Sequence, residues 1–324
     1  MRQRQDRDHE ATGGKISLEA PGKKGGAKME KGKDHKRRKK KRLILSVILA
    51  GLLMFLLMGF NETLLVRHYH LQTDLIDEPL TFVLLADLHS NFYGQEQEEL
   101  IQAIESLHPD GIFLAGDIAD DKIPHEGMIC LMEGLGYQKQ PGRDEGLPAA
   151  FYVTGNHEYW GGKADQVKEI LTQRGVRVLE NQSVLLEVKG EKLYICGMED
   201  PDSNRYVPQM LKETFQAVPR QDRQYFSILL AHRPELISTY LQYPCDLILS
   251  GHAHGGQWRI PGLIDGIYAP GQGFFPENAG GIRYYPDKVH IISRGLARDT
   301  TAVPRFYNRP ELVAIHLSPQ TDKE

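Results

Sequence analysis

The chain has 324 residues, of which 40% are hydrophobic and 25% charged. It is therefore neither disordered throughout nor fibrous, and it is long enough to bury a sizeable core. Its three cysteines are widely spaced, which excludes a disulfide scaffold and a cysteine-based zinc finger. The net charge of -4 is the sum of two segments of opposite charge. Residues 1–42 are basic, with 16 Lys/Arg against 6 Asp/Glu, and the remainder is acidic.

The first 42 residues contain almost no large apolar side chains, and residues 36–42 are all Lys or Arg. A segment of this composition cannot bury enough apolar surface to offset the entropy lost on ordering, so we expect a disordered tail over 1–42. Such a tail could bind nucleic acid or anionic lipid. We expect instead that it sets the orientation of a membrane segment, with no specific nucleic-acid partner.

An uncharged apolar run follows, from Leu43 to Phe60. As a helix it would be roughly 27 Å long, close to the thickness of the hydrocarbon core of a bilayer. One alternative is a buried helix of a soluble protein, although the run lacks a polar stripe. Another is a cleaved signal peptide, although the run ends without a small-residue cleavage site. We predict a transmembrane helix over 43–60 and a linker over 61–79.

The charges that flank the apolar run predict its orientation. Seven consecutive basic residues precede it, and only Arg67 is basic among the first dozen residues after it. The positive-inside rule then places the N-terminus in the cytoplasm and the large C-terminal part outside it. The prediction is a single-pass protein of the cell membrane.

From about residue 80, short aliphatic runs alternate with helical patterns, which is typical of an α/β layer fold. Five runs are predicted strands: 81–86, 111–115, 149–154, 226–231 and 246–250. A second sheet is expected from a hairpin and two later runs: 184–188, 192–196, 284–293 and 312–317.

Each of the five strands is followed directly by residues of types that bind metals or act in acid–base catalysis. They are Asp87, His89, Asp117, Asp120, Asn156, His157, His232, His252 and His254. Loops at the carboxyl ends of strands in an α/β sheet converge on one crevice. Side chains two residues apart on an extended segment, as in Asp-x-His and His-x-His, point the same way. One such pair could be an ordinary surface feature, but five loops in register predict a metal cluster.

The order Asp-x-His, Gly-Asp-x-x-Asp, Gly-Asn-His-Glu, His and Gly-His-x-His resembles the calcineurin-like metallophosphoesterase superfamily over most of residues 80–260. The stretches 251–257 and 269–273 are similar to its membrane-anchored bacterial phosphohydrolase branch, which includes UDP-diacylglucosamine pyrophosphatase-like enzymes. The resemblance implies a metal-dependent phosphoesterase with a four-layer α/β/β/α sandwich over 80–324.

The resemblance also implies a dinuclear site. One metal would be held by Asp87, His89, Asp117 and His254, and the other by Asp117, Asn156, His232 and His252, with Asp117 as the bridge. His157 would act in catalysis without binding metal, and Asp120 would orient it by hydrogen bonding. The family often has Arg-Gly after that aspartate, whereas this chain has Asp121-Lys122. Arg233, which follows a ligand, could contact phosphate or form a surface salt bridge.

The ligand types agree with this chemistry. Two divalent cations about 3.5–4 Å apart offset the charge of a phosphate and lower the pKa of a bridging water, so that a metal-bridging hydroxide forms near neutral pH. Carboxylate, imidazole and amide ligands without thiolate favour Mn, Fe, Zn or Ni over Mg or Ca. His157 could protonate the leaving oxygen.

Two classes of function stay open. The first is hydrolysis of a phosphoester or pyrophosphate bond, on a lipid or cell-envelope substrate, because tethering raises the local concentration near such molecules. The second is a non-catalytic, membrane-tethered interaction module that retains the fold. Such a module would be expected to lose His157 or several ligand positions, and all of them are present. No obligate protein partner is inferred.

Overall fold

The computed structural model describes residues 26–138, 146–219, 224–298 and 303–320. The first 25 residues of the predicted tail therefore lie outside the described part of the chain. The chain divides into two compact units, Met1–Phe55 and Leu56–Glu324.

Helix α1 spans Gly26–Gly59. Its portion His35–Gly59 is long and apolar enough to cross a membrane, a property that signal sequences share. The helix begins 17 residues before the predicted span, so the structure differs from the disorder predicted for residues 26–42. Lys, Arg and Glu are good helix formers, and a helix nucleated in the apolar run can propagate through them.

The remaining helices are short and are separated by strands. In chain order they are α2 (Glu98–Glu105), α3 (Glu126–Gly134), α4 (Asn156–Trp160), α5 (Ala164–Thr172), α6 (Val207–Thr214) and α7 (Ile237–Tyr240). The strands are β1 (Leu65–Thr73), β2 (Leu80–Leu85), β3 (Gly111–Ala115), β4 (Ala149–Val153), β5 (Arg177–Val178), β6 (Gln182–Val188), β7 (Glu191–Met198), β8 (Phe226–Ala231), β9 (Leu247–Ser250), β10 (Tyr268–Ala269), β11 (Gly273–Phe274), β12 (Gly281–Tyr284), β13 (Val289–Ile292) and β14 (Glu311–Pro319).

Two six-stranded sheets form the centre of the second unit, in the orders β1-β14-β2-β3-β4-β5 and β12-β13-β9-β8-β7-β6. Strands β2 to β5 run parallel, as do β7, β8, β9 and β13. Strands β10 and β11 form a separate hairpin. All five predicted ligand-bearing strands are present, with ends within one residue of the predicted ones.

Two predictions about the sheets are wrong. The run 312–317, predicted in the second sheet, is β14 of the first, where Val313 pairs with Leu84 of β2. The predicted linker 61–79 contains β1, which pairs in parallel with β14 from Leu65 to Thr73. The first error arises because a short buried apolar run shows that a strand exists, but not which distant strand it pairs with. The second arises because β1 is half exposed and rich in polar residues, so no apolar run identifies it as a strand.

The sheets pack face to face, and helices cover their outer faces. Alternate residues of the first sheet, such as Phe82 and Phe113, belong to the same buried hydrophobic cluster as Ile195 and Leu230 of the second. The residues between them face the opposite way and pack under α2, α3 and α5, while α6 and α7 cover the second sheet. This two-residue alternation confirms the predicted four-layer α/β/β/α sandwich.

Strand β1 belongs to the folded unit, and this gives a test of its boundary. A fragment of residues 61–324 is expected to fold, whereas a fragment of residues 80–324 should lose several kcal/mol of unfolding free energy. The shorter fragment lacks the buried side chains of Leu71 and Ile76, each of which contributes roughly 1.5–3 kcal/mol. Urea unfolding followed by circular dichroism measures the difference, and equal midpoints would show that β1 is only a linker.

Candidate metal centre

The seven predicted metal ligands lie together at the carboxyl ends of β2, β3, β4, β8 and β9. Backbone hydrogen bonds join the loops that carry them, for example from the Asp87 N–H to the Gly116 carbonyl (3.1 Å) and from the Gly251 N–H to the His232 carbonyl (3.0 Å). All seven residues are buried. The convergence of these residues that the sequence predicts is therefore present.

Six of the seven residues form two groups. In each group, one donor atom per residue lies within 4.8 Å of the others; the groups are Asp87, His89 and His254, and Asp117, His232 and His252. Asp117 Oδ2 lies 3.1 Å from His232 Nε2 and 3.7 Å from His89 Nε2. Asp117 therefore lies close to a member of each group; its role as a bridging carboxylate stays a prediction.

Each of the seven side chains has a buried nitrogen or oxygen atom without a hydrogen-bond partner among the described residues. The atoms are Asp87 Oδ2, His89 Nε2, Asp117 Oδ2, Asn156 Oδ1, His232 Nε2, His252 Nε2 and His254 Nδ1. Buried polar atoms in native proteins are nearly always hydrogen-bonded. A cluster of unpaired carboxylate, amide and imidazole donors fits divalent transition-metal ions, which these groups bind well.

The backbone at the site is strained. Five ligands have positive φ angles between 46° and 65°: Asp87, His89, Asp117, His252 and His254. A left-handed conformation at a residue other than glycine costs about 1–3 kcal/mol and persists only where the surroundings impose it, most often at functional sites.

Glycines at two loops allow the ligands to approach one another. Gly116 has a φ of 84°, which only glycine adopts readily. A Cβ at Gly155 would collide with Asp117, so glycine is needed there for close approach rather than for its φ angle.

A model of the calcineurin-like phosphoesterase family matches residues 80–256. The chain belongs to this family. It is therefore a metal-dependent phosphoesterase, as the resemblance implied, and the matched range contains every predicted site residue.

Relatives of this phosphoesterase occur in bacteria and animals. A metallophosphoesterase of Aquifex aeolicus is 26% identical over 78% of this chain and 91% of its own length. The metallophosphoesterase YkoQ of Bacillus subtilis is 28% identical over 72% of this chain and 82% of its own length. A zebrafish transmembrane protein with a metallophosphoesterase domain is 25% identical over 66% of this chain, which spans about half (51%) of that protein.

Two histidines of the phosphoesterase site have opposite pKa shifts. Burial lowers the pKa of His232, but the carboxylates of Asp117 and Asp87 outweigh burial and raise it to about 10. Burial and the positive charge of His232 together lower the pKa of His252 to about 2.

Hydrogen bonds behind the ligands orient two of the imidazoles. His232 Nδ1 lies 2.8 Å from the Ala115 carbonyl, and His89 Nδ1 lies 3.0 Å from Asp120 Oδ2. In both rings this leaves Nε2 directed at Asp117. Such outer contacts select the tautomer and the ring orientation of a metal ligand.

The predicted role of Asp120 needs a correction. Asp121, not Asp120, makes the close hydrogen bond to His157: its Oδ1 lies 2.8 Å from His157 Nδ1, whereas Asp120 Oδ2 is 3.8 Å away. The Asp120 carboxylate is used by His89 and by the backbone N–H groups of Lys122 and Ile123. Asp120 therefore orients the ring of His89, and Asp121 orients that of His157.

His157 is the most exposed histidine of the site, with 18% of its side chain accessible to solvent. Its ring packs edge-on against His89, with centroids 4.3 Å apart, and lies 4.8 Å from the ring of Trp160. Trp160 is 61% exposed and donates a hydrogen bond to Asp202. His157 therefore lies on the solvent side of the site, beside the exposed ring of Trp160.

Arg233 forms the salt bridge that was the alternative to a phosphate contact. Its Nε and Nη2 donate to the two oxygens of the buried Asp200 at 2.7 and 2.8 Å, and Nη2 lies 2.9 Å from Asp202. This pairing directs the guanidinium to Asp200 and Asp202. The phosphate contact of Arg233 stays a prediction without support from the geometry.

Sequence reasoning missed the part played by Glu158. Its buried carboxylate accepts four backbone N–H groups, from Asp117, Ile118, Ala119 and Gly155, at 2.8–3.1 Å. Glu158 thus joins the loop after β3 to the loop after β4. Glu158 is the last residue of the Gly-Asn-His-Glu motif. No pattern in the local sequence distinguishes a carboxylate that accepts hydrogen bonds from backbone N–H groups from one that lines a pocket.

We expect Glu158→Gln to lower the free energy of unfolding by about 1–3 kcal/mol, because an amide group would face N–H donors with its own N–H₂ and leave some of them unpaired. Glu169→Gln, at an exposed position of α5, is the control and should change stability by less than about 0.5 kcal/mol. Both are measured by urea unfolding of the metal-loaded protein. Equal stability of the two variants would contradict the role given to Glu158.

Proposed function

We propose that the chain hydrolyses phosphoester bonds with two divalent ions bound by the seven converging residues. The observation that carries this proposal is that each of the seven side chains has a buried nitrogen or oxygen atom that could bind a metal and has no hydrogen-bond partner among the described residues. The proposed ligands of one ion are Asp87, His89, Asp117 and His254; those of the other are Asp117, Asn156, His232 and His252. The complete set of donors argues against the non-catalytic module.

The bound ions would neutralise phosphate charge and lower the pKa of water. The chain's own residues hold and deliver the proton. His157 Nδ1 donates to the Asp121 carboxylate, which fixes the orientation of the ring. Hydrolysis breaks the bond between phosphorus and the leaving oxygen, adds the elements of water, and transfers a proton from His157 Nε2 to that oxygen.

Asp117→Asn is the direct test of the shared site. The substitution removes the negative charge between the two groups, so metal content should fall from close to two ions per chain and hydrolysis of a nitrophenyl phosphoester should fall with it. Asp165→Asn, at a fully exposed position, is the control. Elemental analysis measures the ions; a saturating content of one ion in the unmodified chain would exclude the dinuclear site.

His157→Ala should retain its metal content and lose about 10²–10⁴-fold in rate on alkyl phosphoesters. The loss should be smaller on nitrophenyl esters, whose acidic leaving groups need little protonation. His70→Ala, an exposed histidine of β1, is the control. Loss of a metal ion would make His157 a ligand, and full activity on alkyl esters would refute its role as an acid.

We further propose that α1 anchors the enzyme in the cell membrane, with the catalytic unit outside the cytoplasm, and that the substrate is a lipid or cell-envelope phosphoester. The length and composition of His35–Gly59 support an anchor, as does the name of the zebrafish relative. The basic residues 36–42 support the orientation.

A fluorescent protein that matures only in the cytoplasm tests the topology. We expect no fluorescence when it is fused after Glu324 and full fluorescence when it is fused before Met1, because the basic run precedes the apolar one. Intact cells are compared by immunoblot-normalised fluorescence. Bright C-terminal fusions would reverse the proposed orientation.

A further inference from the structure

One surface segment of the catalytic unit exposes several large apolar side chains. The segment covers residues 257–275, between the last metal-ligand loop and β12, and we call it the docking segment. Its exposed apolar residues are Trp258 (39%), Leu263 (78%), Tyr268 (48%), Phe274 (74%) and Phe275 (68%). A soluble surface rarely groups so many large apolar residues within twenty positions unless the surface binds something.

The backbone presents these side chains to the outside. Tyr268 of β10 pairs with Phe274 of β11, and their rings pack edge to face with centroids 5.4 Å apart. Phe275 has a φ of 55°, an unfavourable value for a bulky residue, and its N–H donates to the Ile267 carbonyl at 2.8 Å. Strain that holds an aromatic residue in solvent is typical of a functional segment.

One end of the docking segment contacts the place where the chain leaves α1. The ring of Phe60, directly after α1, packs on Phe306 at 5.0 Å between centroids, and Phe306 packs on Trp258 at 5.3 Å. The Tyr307 N–H also donates to the carbonyl of Gly59, the last residue of α1, at 2.6 Å. A membrane that contained α1 up to Gly59 would therefore end beside Trp258.

The other end of the docking segment lies at the rim of the metal centre. The Ile267 N–H donates to the Gly256 carbonyl at 2.9 Å, two residues after the ligand His254. Gly271 packs against Glu235 so closely that no Cβ would fit, and Glu235 Oε1 lies 3.7 Å from His252 Nε2. The segment thus connects the exit of α1 to the edge of the site.

We infer that the docking segment inserts its apolar side chains into the lipid surface next to α1, and that it holds the metal centre at the height of the phospholipid headgroups. This inference rests on the anchoring proposed above. Trp and Tyr are well suited to the interface, because the ring can be buried while its N–H or O–H stays in water, and Phe and Leu add apolar surface that can be buried among the lipids. The charge of Asp265 is compensated there by Arg259, 2.8 Å away. The substrate class favoured by this placement is a phosphate ester of a lipid headgroup.

Single-tryptophan reporters in the full chain test this inference. The chain has two tryptophans, Trp160 and Trp258, and both are replaced by Phe. A reporter is then introduced by Phe274→Trp in the docking segment or by Tyr284→Trp as a control. Tyr284 is similarly exposed, at 70%, but lies with Phe226 and Val289 at the opposite ends of the strands. Each chain is reconstituted in phosphatidylcholine vesicles with or without bromine on the acyl chains, which quenches tryptophan on contact.

The Phe274→Trp chain should be about twofold dimmer in brominated vesicles, because an interfacial element buries its apolar face roughly 5–10 Å into the bilayer. The Tyr284→Trp chain should be equally bright in both. If the chain without natural tryptophans fails to fold, Trp160→Phe alone leaves Trp258 as the reporter, with the same expected dimming.

Carbonate extraction separates the two ways in which this inference could fail. A chain that resists extraction, but whose Phe274→Trp reporter is not quenched, retains its anchor and refutes the docking segment. Cross-linking of such a chain to a second copy through the segment would identify that surface as a protein interface instead. A chain that carbonate extracts refutes the anchor and the docking segment together.

Discussion

Seven buried side chains each have a nitrogen or oxygen atom without a hydrogen-bond partner among the described residues, and the rest of the structure depends on holding these atoms together. Two carboxylates, four imidazoles and one amide meet in a space from which water is largely excluded, and each has an atom without a partner among the described residues. Without cations this arrangement is unfavourable, since desolvated polar groups that lack partners destabilise a fold. In the proposed centre, the same atoms would be the ligands of two divalent ions. Metal binding and the stability of this region are therefore expected to be coupled.

The scaffold is arranged to hold these groups close together. Parallel strands deliver their loops to one edge of each sheet, and the two sheets face each other with those edges together. Glu158 then joins two of the loops through four backbone hydrogen bonds, and Asp120 fixes the ring of His89. The left-handed backbone at five ligands shows that this support outweighs a local conformational penalty.

The sequence predicted the strands and the residues at their ends, because a local pattern of apolar and polar residues determines both. An aliphatic run followed directly by a ligand-type residue, with or without an intervening glycine, predicts both a strand and the group at its end, and all five such runs were confirmed as strands. The predictions that failed depend on contacts between distant parts of the chain. The sheet to which β14 belongs is set by its pairing with β1 and β2. Whether Asp120 or Asp121 reaches His157 is set by side-chain direction in one turn, and Arg233 is held by Asp200 from another loop. None of these contacts has a signature in local sequence.

The central claim, that the seven residues bind two ions around a shared carboxylate, can be tested directly by anomalous diffraction. Crystals of the catalytic unit grown with Mn²⁺ should show two anomalous peaks about 3.5–4 Å apart, with the Asp117 carboxylate between them and His157 contacting neither. A single peak, or a pair of peaks away from Asp117, would contradict the account.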